Sequence, residues 1–318
     1  MSGEALSLTA DDGHVIRGTF WPSAGERGLV QIAHGMAEHH ARYRTLAEEL
    51  AAAGWAVVAH DHRGHGESVG PGEELGHFAD HDGWRRVLDD LRQVRAEGRR
   101  RARAGVFALL GHSMGSFIAL SDVIDAPRSV DLLVLSGSNV GGGPLVEAGK
   151  TAAKVERLRQ GARGKSALLS FLSFGSFNKG FAPTRTEFDW LSRDPDQVDA
   201  YVADPRCGFR CTNQLWIDLL GALGDLGKDA RLARLRPELP VLLIAGARDP
   251  VSDGGKGVRA LATKLRNVGL ADVTTRIYED ARHEVFNETN RAEVVEDVLR
   301  FLETRAARVT RSHTAARS

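Results

Sequence analysis

Short apolar segments alternate with amphipathic segments along most of the chain, and this alternation restricts the fold more than any other feature. Three segments, residues 43–53, 84–96 and 291–305, repeat apolar residues at the spacing of an amphipathic helix. Between them lie aliphatic or β-branched runs, several apolar throughout, as expected of strands that helices cover on both faces. Strands alternating with helices predict an α/β fold with a mostly parallel sheet and right-handed crossovers. We predict eight strands, at residues 5–9, 16–21, 29–33, 55–60, 106–111, 132–137, 241–246 and 274–278.

The alternation is interrupted once, over residues 138–236. This segment, called the insertion below, begins with a glycine cluster and continues with helical and loop patterns, without a strand-like run. We therefore predict a core formed by residues 1–137 and 237–305, into which the insertion is placed as a helical cap or lid. Residues 306–318 contain several arginines and almost no large apolar residues, which is typical of a disordered tail.

The charge balance and the cysteine content exclude further classes of protein. Lys and Arg number 42, as do Asp and Glu, so the formal net charge is zero and the basic excess of a nucleic-acid-binding protein is missing. Cys207 and Cys211 are too few for a zinc site of the usual kind, and we expect free thiols rather than a local disulfide. The first residues do not combine a basic start with an apolar run, so we expect no secretory signal and a cytoplasmic location.

The sequence GHSMG, residues 111–115, lies at the junction of the fifth predicted strand and a helix. A serine at such a turn projects its hydroxyl from the sheet, and the two glycines allow the strand and the helix to pack closely. The helix N-terminus also supplies free backbone N–H groups and a positive field. We therefore predict that Ser113 is a nucleophile.

A serine hydroxyl is a weak nucleophile unless a histidine accepts its proton and a carboxylate orients that histidine. In the chain order typical of a serine on this kind of turn, the acid follows the serine and the histidine comes last. Asp249 follows the seventh predicted strand, and His283 follows the eighth. Because catalytic groups collect at the carboxyl ends of the strands in open α/β sheets, we predict that these two residues complete a triad with Ser113.

Acyl transfer at a serine also needs two hydrogen-bond donors for the oxyanion of the tetrahedral intermediate. One donor is expected to be the backbone N–H of Met114, the residue after the nucleophile, and the other an N–H from the loop after the third strand. That loop reads HGMAEH, and we place the second donor at the N–H of Met36. We assign the neighbouring His34, Gly35 and His112 to the substrate-binding surface.

An apolar stretch within the insertion predicts a second part of the substrate-binding surface. Residues 167–174 read ALLSFLSF, and further aromatic residues follow. We expect Phe171, Phe174 and Phe177 to line an acyl tunnel, and the lid to contact a membrane surface transiently. Ordinary packing within the cap is the alternative, and one helix face can pack while the other meets substrate.

Two clusters of titratable residues each have two interpretations. His60, His62 and His65 lie close together, but they belong to a turn after the fourth strand, and we favour a structural hydrogen-bonding role over a metal site. The basic run at residues 99–103 is interpreted as a solvated helix end and loop, with contact to anionic headgroups as the alternative.

Five motifs in order resemble the monoacylglycerol lipase and lysophospholipase branch of the α/β-hydrolases, a branch also labelled serine aminopeptidase-like. The motifs are HGMAEHHARY, DHRGHGES, GHSMGS, GARDPVS and YEDARHEVFNE. The resemblance extends from about residue 6 to residue 302, and the insertion's SFNKGFAPTRTEFDWLSRD and DPRCGF are similar to bacterial members. It implies the α/β-hydrolase fold, with Ser113 as nucleophile, Asp249 as acid and His283 as base, and with oxyanion contacts from Met36 and Met114.

The resemblance implies a serine carboxylic-ester hydrolase that cleaves monoacylglycerol-like or lysophospholipid-like substrates through an acyl-enzyme. Such a mechanism needs no metal or organic cofactor, and it requires neutral His283, so activity is expected to fall below about pH 6.5. Three alternatives stay open: a peptidase or amidase with the same triad, an acyltransferase, and a non-catalytic binding protein. The acyl-chain length, the headgroup and the oligomeric state also stay open at this point.

Overall fold

Eight strands form a single sheet in the computed structural model, which describes residues 2–25, 27–102 and 105–315. The strands are β1 (Glu4–Thr9), β2 (Val15–Trp21), β3 (Gly28–Ala33), β4 (Trp55–His60), β5 (Phe107–His112), β6 (Leu132–Ser136), β7 (Val241–Gly246) and β8 (Val273–Tyr278). Their order across the sheet is β1-β2-β4-β3-β5-β6-β7-β8. The pairings of β2 with β1 and with β4 are antiparallel, and the others are parallel. The predicted sheet is confirmed, with every strand end within one residue of its expected position.

Helices cover both faces of the sheet. They are α1 (Arg44–Ala52), α2 (Gly83–Ala102), α3 (Met114–Asp125), α9 (Lys256–Asn267) and α10 (Arg291–Ala315). Helices α4 to α8 belong to the insertion. Alternate strand residues face the two sides because side chains of a strand point to opposite faces. In β5, Phe107 and Leu109 join the core under α2, α3 and α9, whereas Ala108 and Leu110 join the core under α1 and α10. Each face of β5 is therefore apolar, which explains its uninterrupted hydrophobic run.

The insertion, all of whose residues the structure describes, connects β6 to β7 and contains helices and turns but no strand. Its helices are α4 (Gly143–Gln160), α5 (Ala167–Ser170), α6 (Pro195–Ala203), α7 (Asn213–Leu226) and α8 (Asp229–Leu232). Helix α7 packs against α2, α3 and α4, and its apolar face extends the core under α2 and α3. A π-helical turn at Phe171–Gly175 and a 3-10 turn at Asn178–Phe181 lie between α5 and α6. One side of the insertion is thus anchored to the core by buried apolar contacts.

The end of the chain differs from the expectation of a disordered tail after residue 305. Helix α10 continues to Ala315, ten residues further. Ala306 is buried, and Val309 packs against the same core as Leu302, so these residues extend the apolar stripe of the helix by one more turn. Small and β-branched residues at the right spacing were enough to continue the helix, although the segment has few large apolar side chains. Residues 316–318 lie outside the described part of the chain.

The basic run also differs from the expected loop, because α2 continues to Ala102 instead of ending near residue 96. Arg100 and Arg101 donate hydrogen bonds to Glu97, and Arg99 lies 4.8 Å from the centre of the Phe107 ring. These arginines are therefore engaged within the protein, while residue 103 of the run lies outside the described residues. None of the helices in the described ranges is long and apolar enough to cross a membrane.

Candidate active site

Ser113 occupies a sharp turn between β5 and α3. Its backbone has φ 52° and ψ −122°, a positive φ that is strained for a serine. The Ser113 N–H donates to the carbonyl of Ser136 at 2.8 Å, and the Ser116 hydroxyl donates to the Ser113 carbonyl at 2.6 Å. The strain expected of a nucleophile at a strand-to-helix turn is therefore present, and hydrogen bonds to neighbouring elements hold the conformation.

Gly111 and Gly115 allow the close packing that this turn requires. A Cβ atom at Gly111 would lie 2.3 Å from the Gly115 carbonyl oxygen, and one at Gly115 would lie 2.1 Å from the Ala33 carbonyl oxygen. Both contacts are with backbone atoms, which cannot rotate away as a side chain can. Only glycine therefore fits at either position without a shift of β3, β5 or α3.

Asp249 and His283 form a buried hydrogen-bonded pair at the carboxyl ends of β7 and β8. Nδ1 of His283 lies 2.8 Å from Oδ1 of Asp249, and this oxygen also accepts the Val251 N–H at 2.9 Å. Because the carboxylate only accepts, Nδ1 donates its proton and Nε2 of neutral His283 is free to accept one. The His283 ring is centred 4.6 Å from the ring of His112, the residue before Ser113. The structure thus places the His283–Asp249 pair beside the last residue of β5, which directly precedes Ser113.

The pair shifts the pKa values of both residues. Burial lowers the pKa of His283, but the charge and hydrogen bond of Asp249 outweigh burial, so the pKa is raised above its ordinary value of 6.5. Burial raises the pKa of Asp249, yet the interaction with His283 outweighs it and holds this pKa below its ordinary value. A raised histidine pKa makes the imidazole a stronger base, and it also moves the loss of the base form to higher pH.

The loop after β3, residues 34–39 and called the β3 loop below, approaches Ser113 closely. A Cβ atom at Gly35 would lie 3.2 Å from the Cβ of Ser113. Ala37 has φ 54°, a second strained residue at this site. Within the described residues, no hydrogen bond occupies the backbone N–H of Met36 or of Met114, the first residue of α3. These are the two donors that the sequence predicted for the oxyanion.

His34 and His112, both predicted at the substrate surface, are buried with exposed fractions of 0% and 2%. The His34 Nδ1–H donates to the Gly35 carbonyl at 2.7 Å, while its Nε2 accepts the His62 N–H at 3.0 Å. Nδ1 of His112 lies 3.0 Å from the Ser136 hydroxyl, and burial lowers the pKa of His112 to about 3. Both rings are neutral and support the backbone around Ser113 from behind.

The aromatic residues of the insertion reach the histidine through Trp190. The Trp190 ring is centred 5.1 Å from the His283 ring, 5.0 Å from the Phe177 ring and 6.0 Å from the Phe174 ring. Its carbonyl also accepts the His283 N–H at 3.3 Å. Phe171 lies farther out and is 56% exposed. Trp190 was missed in the sequence, where only the aromatic density of the segment pointed to it.

A cavity of about 390 Å³ lies next to this aromatic group. Phe171, Phe174, Phe188 and Phe209 line it, together with polar side chains that include Asn178, Glu187 and Arg210. A larger cavity of about 610 Å³, between α2, α3 and α7, is lined by several Asp and Arg side chains and by none of the predicted site residues. The smaller cavity is connected to His283 only through aromatic packing, because its wall residue Phe174 packs on Trp190, whose ring neighbours His283.

Comparison with known proteins identifies the family. Residues 24–290 match the family described as serine aminopeptidase, S33. The chain belongs to this family. A monoacylglycerol lipase of Mycolicibacterium smegmatis is 30% identical over 295 residues, which cover 91% of this chain and 92% of the relative. A human monoglyceride lipase is 31% identical and covers 88% of this chain and 84% of its own length.

A solved structure of a carboxyl esterase from Bacillus coagulans superimposes with a TM-score of 0.88 at 25% identity, covering 96% of this chain and 99% of the esterase. Together with the sequence relatives, this similarity confirms the predicted α/β-hydrolase fold and the monoacylglycerol lipase branch. It also confirms the predicted enzyme class, a serine carboxylic-ester hydrolase of the S33 family.

One group of side chains in the described part of this S33 hydrolase has the spacing of metal ligands: His39, Asp204 and Cys207. Asp204 already accepts hydrogen bonds from Arg206, whose positive charge opposes a second cation. Burial raises the pKa of the Cys207 thiol to about 12, so it is protonated and a poor ligand near neutral pH. Cys207 and Cys211 are both free, as expected, and the structure shows that both are buried.

The buried histidines at the end of β4 and in the turn that follows it have the properties of structural groups. Burial lowers the pKa of His60 and of His65 to about 4, and the same cause holds the pKa of His62 well below its ordinary value. The rings of His34 and His62 are centred 4.2 Å apart. His62 donates its backbone N–H to His34, and His65 Nδ1 lies 2.9 Å from the Arg63 carbonyl, in agreement with the structural hydrogen-bonding role predicted for them. The two ring nitrogens of buried His60 have no hydrogen-bond partner among the described residues, so that role is not shown for His60.

Proposed function

We propose that this S33 hydrolase cleaves the ester bond of monoacylglycerol-like or lysophospholipid-like substrates, with Ser113 as nucleophile, His283 as base and Asp249 as the acid that orients it. The observation on which this rests is the 2.8 Å hydrogen bond between His283 and Asp249, beside a serine in a strained strand-to-helix turn. Curated relatives named monoacylglycerol lipase and monoglyceride lipase support this substrate class.

The proposed reaction has two acyl-transfer steps. His283 Nε2 accepts the hydroxyl proton as Ser113 Oγ bonds to the ester carbonyl carbon, and the N–H groups of Met36 and Met114 stabilise the oxyanion. The carbon–oxygen bond to the alcohol breaks, and the alcohol leaves with the proton from His283. Water then gives a proton to His283 as its oxygen bonds to the acyl carbon. The bond between this carbon and Ser113 Oγ breaks, and His283 returns the proton to Oγ as the fatty acid leaves. These steps use only groups of the protein, the substrate and water.

We place the acyl chain in the cavity of about 390 Å³. Phe171 and Phe174 line this cavity, and Trp190 separates it from the imidazole of His283. Phe177 packs on Trp190 rather than lining the cavity, and we assign it to the support of that ring. Aromatic walls favour an apolar chain over a compact polar acid.

We further propose that the insertion is a cap whose outer face contacts lipid transiently. Leu145 and Leu158 on α4 are 86% and 89% exposed, and Phe171 and Leu172 are 56% and 55% exposed. Leucine and phenylalanine side chains at such exposure are apolar area that a lipid surface can cover. Contact there would bring a substrate from the membrane to the cavity.

The family description keeps peptide or amide bonds as a second candidate substrate class. The two classes are distinguished by comparing the rate of hydrolysis of an aminoacyl p-nitroanilide with that of a p-nitrophenyl acyl ester. Added glycerol, followed by product analysis, detects acyl transfer to an alcohol other than water. Faster anilide cleavage would favour the peptidase, and a glycerol ester as main product would favour the acyltransferase.

The experiment that tests the proposal is hydrolysis of p-nitrophenyl esters from about two to sixteen carbons by the wild type and by Ser113→Ala. We expect an optimum of chain length, and a loss of about 10⁴-fold or more in the variant. Monoacylglycerols and lysophospholipids with the preferred chain then rank the headgroups. If neither protein cleaves any ester, the ester-hydrolase proposal is wrong.

A further inference from the structure

The guanidinium of Arg42 binds two buried carboxylates that the mechanism above does not use. Nη1 donates to Oε2 of Glu38 at 2.7 Å and to Oε1 of Glu284 at 2.5 Å, and Nη2 donates to Oε2 of Glu284 at 2.6 Å. Glu38 and Glu284 are 3% and 5% exposed. The two parallel bonds to Glu284 fix the plane of the guanidinium, as a lysine ammonium could not.

The two carboxylates belong to the two loops that the proposed reaction must hold together. Glu38 lies in the β3 loop, and its Oε1 accepts the Gly35 N–H at 2.5 Å and the Tyr43 hydroxyl at 2.8 Å. Glu284 directly follows His283, and its N–H donates to the Leu191 carbonyl at 2.8 Å. Arg42 therefore connects the backbone next to Met36 to the residue next to the base.

The insertion closes the third side of this arrangement. The guanidinium carbon of Arg42 lies 4.8 Å from the centre of the Tyr201 ring. The Tyr201 hydroxyl and the Gly208 N–H both donate to the carbonyl of Ala37, each at 2.9 Å. The strained Ala37 is thus held by the insertion on one side, while Glu38 is held by Arg42 on the other.

Stability alone does not explain two buried carboxyl groups around one guanidinium at this place. Removing charges from water costs free energy that mutual attraction repays only in part, so well-packed apolar side chains would often stabilise a core as well or better. Hydrogen bonds to charged groups, by contrast, fix distances and angles tightly. The guanidinium of Arg42 contacts Glu38 and Glu284, which lie on the two loops that contain the proposed reacting groups. This placement points to a geometric role.

We propose that Arg42 is a positioning residue, which sets the distance and angle between the oxyanion donor of the β3 loop and the imidazole of His283. It touches no reacting atom and acts through Glu38 and Glu284. The inference rests on the proposed function, because it takes the Met36 N–H and His283 as the groups that must be aligned. A misplacement of about 1 Å in such an alignment costs about 100-fold in rate.

The same residues determine the charge around the base. Burial lowers the pKa of His283, and Asp249, Glu284 and Glu38 raise it in that order. Without the guanidinium, two carboxylates would face the imidazole uncompensated, and the protonated form of His283 would be favoured further. The charged or titratable groups around His283 are Asp249 after β7, Glu284 on its own loop, Glu38 and Arg42 beside β3, and neutral His112 on β5.

The test uses Arg42→Met, which removes the charge at similar length, Arg42→Lys, which keeps the charge without the paired bonds, and the double variant Arg42→Met/Glu284→Gln. The matched control is Arg291→Met, since Arg291 also binds a carboxylate through two bonds, to Glu49, and its hydrogen bonds within the described residues include none to a residue of the proposed triad. The measurements are kcat and KM on a soluble p-nitrophenyl ester, the pH midpoint of kcat/KM, the thermal unfolding temperature, and the rate at which a fluorophosphonate labels Ser113.

We expect Arg42→Met to lower kcat and the labelling rate about 10- to 100-fold with KM changed less than about threefold. Its pH midpoint should rise, and Arg42→Lys should recover part of kcat. The double variant should return the midpoint toward the wild-type value without restoring kcat, while Arg291→Met keeps wild-type kcat. If the double variant restores kcat together with the midpoint, the role of Arg42 is electrostatic and not positional. If a folded Arg42→Met keeps the wild-type kcat and labelling rate, Arg42 has no role in the reaction. Either result overturns the inference.

The labelling rate separates this inference from the proposed function. If the wild type cleaves none of the esters but is labelled at Ser113, the substrate proposal fails and the effect of Arg42 is still measured by labelling. If labelling is absent in the wild type as well, Ser113 is not an activated nucleophile, and both proposals are wrong. A loss in Arg42→Met that disappears when the assay temperature is lowered would reveal a structural role only, and it would also contradict the inference.

Discussion

The core around the triad and the insertion beside it treat apolar and polar groups in opposite ways. In the core, the polar residues Asp249 and His283 are almost completely buried. In the insertion, apolar side chains are exposed: seven of the eight large hydrophobic residues exposed among the described side chains lie there. They are Leu145, Val155, Leu158, Leu168, Phe171, Leu172 and Val202.

The core and the insertion therefore have different tasks in the proposed reaction. Buried and mutually hydrogen-bonded polar groups are costly, but they hold reacting atoms in one geometry, which is what an acyl-transfer site needs. Exposed apolar side chains contribute little to folding and are available to lipid. We therefore expect substitutions in the core to change the rate on every ester, and substitutions on the outer insertion to change only reactions at a lipid surface.

The largest effect is expected for Asp249→Asn. The amide donates where the carboxylate accepted, which favours the wrong tautomer of His283, and kcat should fall about 10⁴-fold on soluble and lipid esters alike. Asp253→Asn is the matched control, because Asp253 lies on the same loop but pairs only with Lys256 at the surface. Kinetics of both variants on one soluble ester measure the difference, and a loss of less than about tenfold in Asp249→Asn would show that the acid does not orient the base.

The pH dependence tests the same part of the core. Because the pKa of His283 is raised, the base form is lost as pH falls through a value above 6.5. Below that midpoint kcat/KM on an uncharged ester should fall about tenfold for each pH unit. A pH profile between about 5 and 9 gives the midpoint. A midpoint clearly below 6.5 would show that burial outweighs Asp249 in setting the pKa of His283, which would contradict the prediction.

The outer face of the insertion is tested by Leu145→Ser combined with Leu158→Ser. Fully burying one leucine side chain stabilises by about 1.5–3 kcal/mol. Because the two leucines would insert only partly into the lipid, the double variant should lower the hydrolysis of vesicle-bound monoacylglycerol by about tenfold. Hydrolysis of a soluble short ester should stay unchanged. Val15→Ser, an exposed apolar residue outside the insertion, is the control. Equal losses on soluble and vesicle substrates would assign these leucines to folding instead.

The smallest effects are expected for glycine-to-alanine substitutions, one in the core and one in the insertion. Gly115→Ala places a Cβ against the Ala33 carbonyl and should lower the free energy of unfolding by about 1–3 kcal/mol. Gly221→Ala in α7 meets nothing within 4 Å and should raise it by about 0.5–1 kcal/mol, because alanine is the better helix former. Urea unfolding of both variants measures the two signs, and destabilisation by Gly221→Ala would contradict the open space at that position.

The regions also differ in how far the sequence predicts them. The strands follow from periodicity because each face of the sheet is apolar, and the triad follows from chain order at strand ends. Trp190 and the contacts of Arg42 depend on distant segments that meet only in the folded chain, and no local pattern contains that information. The extension of α10 was missed because Ala306 is buried and Val309 partly buried by tertiary packing, although the segment itself is rich in charge.

The assignment of Ser113 as the nucleophile is tested most directly by reacting the folded protein with a fluorophosphonate, followed by intact mass and peptide mapping. Only an activated serine reacts rapidly, so we expect one adduct per chain, located on Ser113 and absent from Ser113→Ala. Labelling should slow strongly in Asp249→Asn as the base loses its orientation. A folded protein that stays unlabelled, or whose adduct maps to another residue, would contradict the assignment of Ser113, His283 and Asp249 as the reacting triad.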